Sequence, residues 1–441
     1  MNETLATTEK IAKKAKALGA DEVIARTVAS RNRQVRFSNN QIDTSLAWNY
    51  YVTDVVLSWK KRVVATQIPD FQKIDEHLKR LFELAKVSKE NPMHGGFAKG
   101  KFNYQKSKAD RTANDLEKPT EPIFEAIEAA KKEAGPLTTA GGIFLTSVAD
   151  IYQVSSEGSM GEDCRSAVEF SIRAFSGKEA SGHAVECSST LKGFDAARAG
   201  RKAGEIAKKA KNPKLGLEGK YDVVFDPLFA GSLLSMWGSM ASAYSVMVQM
   251  SIFVDKVGNK VASDLVTLRD VPAAYSVSNR IFDDEGVPAQ ENVIINKGAL
   301  KTYLHNTSTA KIFKTQTTGN AGIISPGPWN IEMDPGDMVK EELFNEVKRG
   351  LYLTNTWYTR FQNYKTGDFS TIPRDGIFLI ENGEIKESWK SIRLSDNASR
   401  MLNAIAGISK ERHHIHWWTE ADPPSLSPYI LMKDVQITRP K

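Results

Sequence analysis

The sequence predicts an α+β protein: a duplicated N-terminal α/β region, residues 1–215, and a β-rich C-terminal domain, residues 216–441, built around one buried helix. Three observations predict it. A helix, several strands and a second helix are patterned twice in the first half, over about residues 1–90 and 119–215. Past residue 216 the chain reads as short strands punctuated by Gly, Asn and Pro turns, with no regular strand–helix alternation, so a doubly wound parallel sheet is not expected. Residues 227–254, between these regions of strand, carry no charged side chain at all.

Each element has its own signal. Residues 3–18 place Leu5, Ile11, Ala12, Ala15 and Leu18 along a helical stripe, and Gly19 stands where a helix stops. Residues 22–28, 34–37 and 42–48 read as strands around a turn at Asn39-Asn40, and 55–59 and 62–66 as a hairpin over Lys60-Lys61. A helix over 70–87 aligns Ile74, Leu78, Leu81 and Leu84. Residues 88–118 are polar and lack a period, which predicts a long loop between the two copies. The second copy opens with a helix over 120–134, where Thr120 is the expected cap, Pro122 suits the first turn and Gly135 ends it. Strands over 143–155, 164–176 and 184–189 follow, then a helix over 195–211. Gly200 and Gly204, one turn apart on that helix, read as close packing against a sheet.

Residues 212–220 (NPKLGLEGK) mark the domain boundary, and 221–225 form a strand that leads into the uncharged stretch. Read as one helix, 227–254 puts Leu233, Trp237, Met240, Tyr244 and Met247 on a bulky face and Ser232, Ser235, Ser239 and Ser242 on a small one. Its serines, glycines and glutamine are too polar for a membrane span, so a core position is expected. The chain ends in a strand over 429–438.

Composition narrows the function classes. With 41% hydrophobic and 25% charged residues this is an ordinary globular chain. Cys164 and Cys187 are too few for a disulfide framework or a four-thiolate zinc site. The first twenty residues hold lysines but no apolar run, so a cytoplasmic protein is expected. Residues 192–220 carry nine Lys and Arg against three acids; a solvated helix face is the plainer reading, a nucleic-acid patch the alternative.

No GxxxxGK[ST], GxGxxG or GxSxG motif occurs, so nucleotide phosphates and the α/β-hydrolase serine have no sequence support. His413, His414 and His416 lie in RHHIHWW. On a strand His414 and His416 share a face, so the three define an alternative reading as an independent metallo-hydrolase, with Asp284 or Glu285 assisting. An interface or surface loop before Pro423-Pro424 is the stronger reading. Asp283-Asp284-Glu285-Gly286 offers acid/base or metal chemistry, but beside Gly286 a turn is preferred. His305-Asn306 either hydrogen-bonds a peptide or closes a strand.

The run Phe282-Asp283-Asp284-Glu285-Gly286-Val287-Pro288-Ala289-Gln290 resembles the TldD/PmbA family, whose members were once described as modulators of DNA gyrase. The likeness continues through Ile294–Asn296, Gly298-Ala299-Leu300-Lys301-Thr302-Tyr303-Leu304-His305, Thr318-Gly319-Asn320-Ala321, Thr366-Gly367-Asp368-Phe369-Ser370 and Phe378-Leu379-Ile380-Glu381-Asn382-Gly383-Glu384-Ile385, with Arg36-Phe37-Ser38-Asn39-Asn40-Gln41 near the start. The resemblance implies a zinc peptidase scaffold in which an HExxxH helix and a later cysteine bind the metal. Here it puts Ser235 and Met240 at the histidine positions, Met236 at the glutamate and Arg374 at the cysteine. It therefore implies no metal or catalytic residue in this chain, and a PmbA/TldE-like subunit that pairs with a zinc-bearing TldD-type protease on unfolded peptides. Asp284, Glu285, His305, Asn306 and Asn320 are the candidate cavity or peptide-binding residues. Self-association of the isolated chain is a further expectation.

Overall fold

The computed structural model describes residues 3–439. The first domain runs α1 (Glu3–Ala17), β1 (Glu22–Ser38), β2 (Gln41–Trp59), β3 (Arg62–Ile68), α2 (Ile74–Val87), α3 (Glu121–Ala134), β4 (Thr139–Ser155), β5 (Met160–Phe175), β6 (Ser181–Ser188) and α4 (Ala196–Lys209). Its strands form one antiparallel sheet in the order β3-β2-β1-β4-β5-β6. The seam is β1 against β4, with Ile24 opposite Ser155 and Phe37 opposite Gly142. Asn39-Asn40 and Lys60-Lys61 all take positive φ, the two-residue turns that match strand twist.

Side chains alternate across a strand, and β1 sorts them cleanly. Val23, Ala25, Val35 and Phe37 point to the face covered by the four helices: α1 and α2 pack over the first pair, α3 and α4 over the second. Ile24 and Arg26 point to the opposite face. Residues 88–120, without helix or strand, begin as a strap there: Phe97 packs on Ile24 and Val56, and the Phe97 N–H donates to Glu22 at 3.2 Å, while further on Ala113 joins the helix-side core.

The second domain begins with β7 (Lys214–Leu215) and β8 (Gly219–Phe225), followed by α5 (Pro227–Met240). Its 12-stranded mixed sheet centres on β8, which lies between the strands Arg349–Asn363 and Ala421–Thr438. Asp226 caps α5 by accepting from Leu228 N–H, and Pro227 fills the first turn. Phe229, Leu233 and Trp237 enter the main core with Val223, Phe225 and Ile430.

Several expectations need correction. The uncharged stretch is not one helix: α5 stops at Met240, and a five-residue helix, Ala243–Met247, follows a break. At the break the Ser242 hydroxyl donates to Pro326 O at 2.6 Å and Ala243 N–H to Leu304 O, so the chain turns to bind a neighbouring loop. Tyr244 consequently leaves the bulky face and is exposed. Thr120 makes no capping hydrogen bond, and Gly200 and Gly204 face α3, not a sheet. The strands first read as 22–28 and 34–37 are one.

Candidate functional site

The face of α5 that carries Ser235, Met236 and Met240 lines a cavity of about 490 Å³, with Trp357, Tyr358 and Glu420 on its other walls. Ser235 is buried; its hydroxyl lies 2.9 Å from Gly231 O and 2.6 Å from Pro423 O, so its proton is already engaged by backbone carbonyls. Arg374 is exposed on the strand Asp368–Glu381, its guanidinium 5.5 Å from the Trp357 ring centre. Glu420 accepts from Tyr358 N–H at 3.1 Å. A zinc site needs about three imidazole, thiolate or carboxylate ligands and a base for water. A carbonyl-bound hydroxyl, two thioethers and a guanidinium do not fit a dication. The other walls are aromatic and polar: Trp357 and Tyr358 stand with the hydroxyls of Ser239 and Thr419 and the carboxylates of Glu420 and Asp422.

A second cavity, about 110 Å³, lies between the free face of the first sheet, the strap and the second domain. Asp284, Glu285 and Asn306 all line it, with Arg26 and His94. Asp284 pairs with Arg26 at 2.7 Å. Glu285 accepts from the Thr307 hydroxyl and backbone N–H, and burial holds its carboxyl above the usual range. Asn306 caps the helix Thr307–Ile312 through its bond from Thr309 N–H. Residues 283–286 do form a turn, closed by Gly286 N–H to Asp283 O at 3.0 Å.

The other two candidates lie elsewhere. His305 lines a separate cavity with Tyr303 and Phe313, and burial lowers its pKa to about 4. Asn320 is fully buried, donating to Asp270 and Gly327 O and accepting from Asn292.

The three clustered histidines sit on the strand Ile405–Trp417, not in a loop. His414 and His416 share the face toward the first domain, yet each has its own partner: His414 Nδ1 the Cys187 carbonyl, His416 Nδ1 the Glu169 carboxylate. His413 lies by Tyr429. Among the described residues no group of three or more His, Cys, Asp or Glu is arranged to hold a metal ion. That geometry gives the metallo-hydrolase alternative no assembled ligand set among the described residues. In the basic segment, Arg198, Arg201, Lys202 and Lys214 pair with Glu186, Asp195, Asp226 and Glu387, which neutralises part of the expected patch. No helix of the described residues is long and apolar enough to cross a membrane.

One polar row escaped the sequence reading because its members are far apart in the chain. Asn355 Nδ2 donates to His183 Nδ1 and to Asp375 Oδ2, both at 2.9 Å. His183 therefore carries its proton on Nε2 and donates to Ser171 Oγ at 2.9 Å. Burial lowers the His183 pKa to about 3, so the ring is neutral and Ser171 is an acceptor, not an activated nucleophile.

An α+β chain with such a junction and a cavity-lining, ligand-poor helix belongs to a recognisable class, and comparison with known proteins identifies it. Residues 218–439 match the PmbA/TldA metallopeptidase C-terminal domain and residues 110–211 the central domain of the same family. The chain belongs to the PmbA/TldD family. It is 33% identical over 224 residues to a metalloprotease of Methanocaldococcus jannaschii, a match covering 47% of this chain and 48% of that one. It is 26% identical over 205 residues to the metalloprotease PmbA homolog of Haemophilus influenzae, covering 46% and 44%. Matches of this kind span about half the length of those relatives. In fold the chain is similar to TldE from Thermococcus kodakarensis, with a TM-score of 0.86, 21% identity and coverage of 98% and 100%. It is equally similar to a protein of Thermotoga maritima described as a modulator of DNA gyrase, with a TM-score of 0.85, 22% identity and coverage of 98% and 99%.

Proposed function

We propose that this chain is a PmbA/TldE-like, non-catalytic subunit that pairs with a TldD-type zinc metalloprotease and helps to hold unfolded peptide while the partner cleaves it. The observation that carries the reading is the donor set on α5: Ser235, Met236 and Met240 line the cavity, and none supplies a zinc ligand or a base for water. The relatives named metalloproteases support the pathway, and the substitutions at these positions support the non-catalytic side of it. An extended peptide is a suitable guest because main-chain hydrogen bonding to a strand edge is indifferent to sequence. A cytoplasmic location is part of the proposal.

The test is metal analysis and digestion of an unfolded protein, with and without a co-expressed TldD-type protease. The expected result is co-purification of the two chains, no stoichiometric zinc in this one, and cleavage only by the pair. Stoichiometric zinc in the isolated chain, or cleavage by it unaided, would overturn the reading.

A further inference from the structure

A cavity of about 250 Å³ lies where strap residues 103–108 meet β5 and the loop over 272–289, lined by Arg280, Lys106, Lys108, Asn103, Gln105 and Asp163 among others. Its donors outnumber its acceptors. Arg280 lies on the Trp329 ring, its guanidinium carbon 3.3 Å from the ring centre. Its Nε is enclosed by protein without a hydrogen-bond partner, and among the described residues it forms no ion pair.

The acids around it are engaged in part, and Asp163 Oδ1 is enclosed by protein without a hydrogen-bond partner. Asp163 Oδ2 accepts from Arg165 Nε at 2.9 Å and from Ile281 N–H. Asp284 is held by Arg26, and Asp270 by Asn320 and the N–H groups of Trp329 and Asn330. Burial, with Arg165 beside it, lowers the Arg280 pKa to about 9, which leaves it charged at neutral pH. Lys106 and Lys108 are exposed and unpaired among the described residues.

A guanidinium fixed flat on an aromatic ring with its donors free is preorganised for bidentate binding of a planar oxyanion. Asp163 in the same lining repels a dianion more than a monoanion, so a carboxylate suits the site better than phosphate. We propose that this cavity binds a small carboxylate, its oxygens on Arg280 and its charge met by Lys106 and Lys108. The carboxylate comes either from a free organic acid or from a peptide C-terminus. The inference does not depend on the subunit reading.

Calorimetric titration of the full-length chain at low ionic strength, with acetate, N-acetyl-dialanine, its C-terminal amide and inorganic phosphate, tests it. The expected result is saturable one-to-one binding of a free carboxylate and none of the amide. Acetate binding as well as the dipeptide assigns the free acid; a tighter dipeptide assigns the peptide terminus. Arg280→Gln should weaken binding by about tenfold or more. Because that change also strips Trp329 of its stacked partner, the exposed pair Lys106→Ala/Lys108→Ala provides a second arm, expected to weaken binding several-fold and flatten its salt dependence. No saturable carboxylate binding, equal binding of the amide, tighter binding of phosphate, or unchanged affinity in the lysine variant would overturn it.

Discussion

Asp283 accepts from the backbone N–H groups of Glu285 and Val287 at Oδ1 and of Ala321 at Oδ2, all at 2.9 Å. Burial, and after it the charge of Glu285, pushes its carboxyl up to about 8 against those donors, from an unperturbed 3.8. Between those values the folded chain keeps a proton that the unfolded chain has released. The stabilising contribution is therefore full below pH 3.8 and disappears as the pH rises to about 8. Asp283→Asn keeps the two bonds at Oδ1 and cannot ionise, so its unfolding free energy should fall less steeply between pH 6.5 and 8 than that of the parent. Loss of the Ala321 bond should cost it about 1 kcal/mol at pH 6. Urea titrations across that range check this; equal slopes in the two proteins would mean that Asp283 is not the titrating group. The turn itself was readable, since Gly286 with φ of 84° follows a run of turn-forming acids. The Arg26–Asp284 bridge was not, because its partners are 258 residues apart and neither has a local signature.

Helices α3 and α4 show how an element can be legible while its packing partner is not. Glycines one turn apart imply close approach, but not to what. A Cβ at Gly200 would stand 2.1 Å from Ala126 O, and one at Gly204 2.6 Å from Ala130 O. Both obstacles are backbone on α3, so neither can swing aside. Alanine at an interior helix position gains about 1 kcal/mol over glycine from propensity. Overpacking costs about 1–3 kcal/mol, and with backbone as the obstacle the upper end applies. Gly200→Ala should therefore destabilise by about 1–2 kcal/mol net, whereas helix propensity alone predicts stabilisation. A denaturation midpoint that rises in the variant would refute the tight α3–α4 contact. The same limit explains α5. Periodicity carried the expected helix through residue 254, but Leu304 takes the backbone of Ala241 and Ala243, Pro326 O takes the Ser242 hydroxyl, and the helix ends there.

At the scale of the molecule, the fold class was legible because strand–turn patterning and paired helices are local signals. The joining of six strands into one sheet was not, since β1 meets β4 across more than a hundred residues. The zinc-ligand positions came from family likeness, and no chemistry in the chain would have singled out Ser235. Polar contacts tie the two domains together on the sheet face away from the helices. Arg173 Nε reaches Asp375 Oδ1 at 2.9 Å, Ser181 donates to the same oxygen, and His416 reaches Glu169. Burial opposes the Asp375 charge, yet Arg173 and the bonds from Asn355 and Ser181 hold its carboxyl below the usual range. Removing one partner of a buried pair strands the other and costs about 3–5 kcal/mol; Arg173 is a quarter exposed, so the lower end applies. Asp375→Asn should therefore cost about 3 kcal/mol, spent at the junction and not inside either core. Scanning calorimetry should then resolve two transitions where the parent shows one, the domains melting apart once this ion pair, one of several they share, is gone. A single transition at the parental midpoint would mean that the remaining contacts, Arg26–Asp284 and Lys202–Asp226 among them, suffice to couple the two sheets.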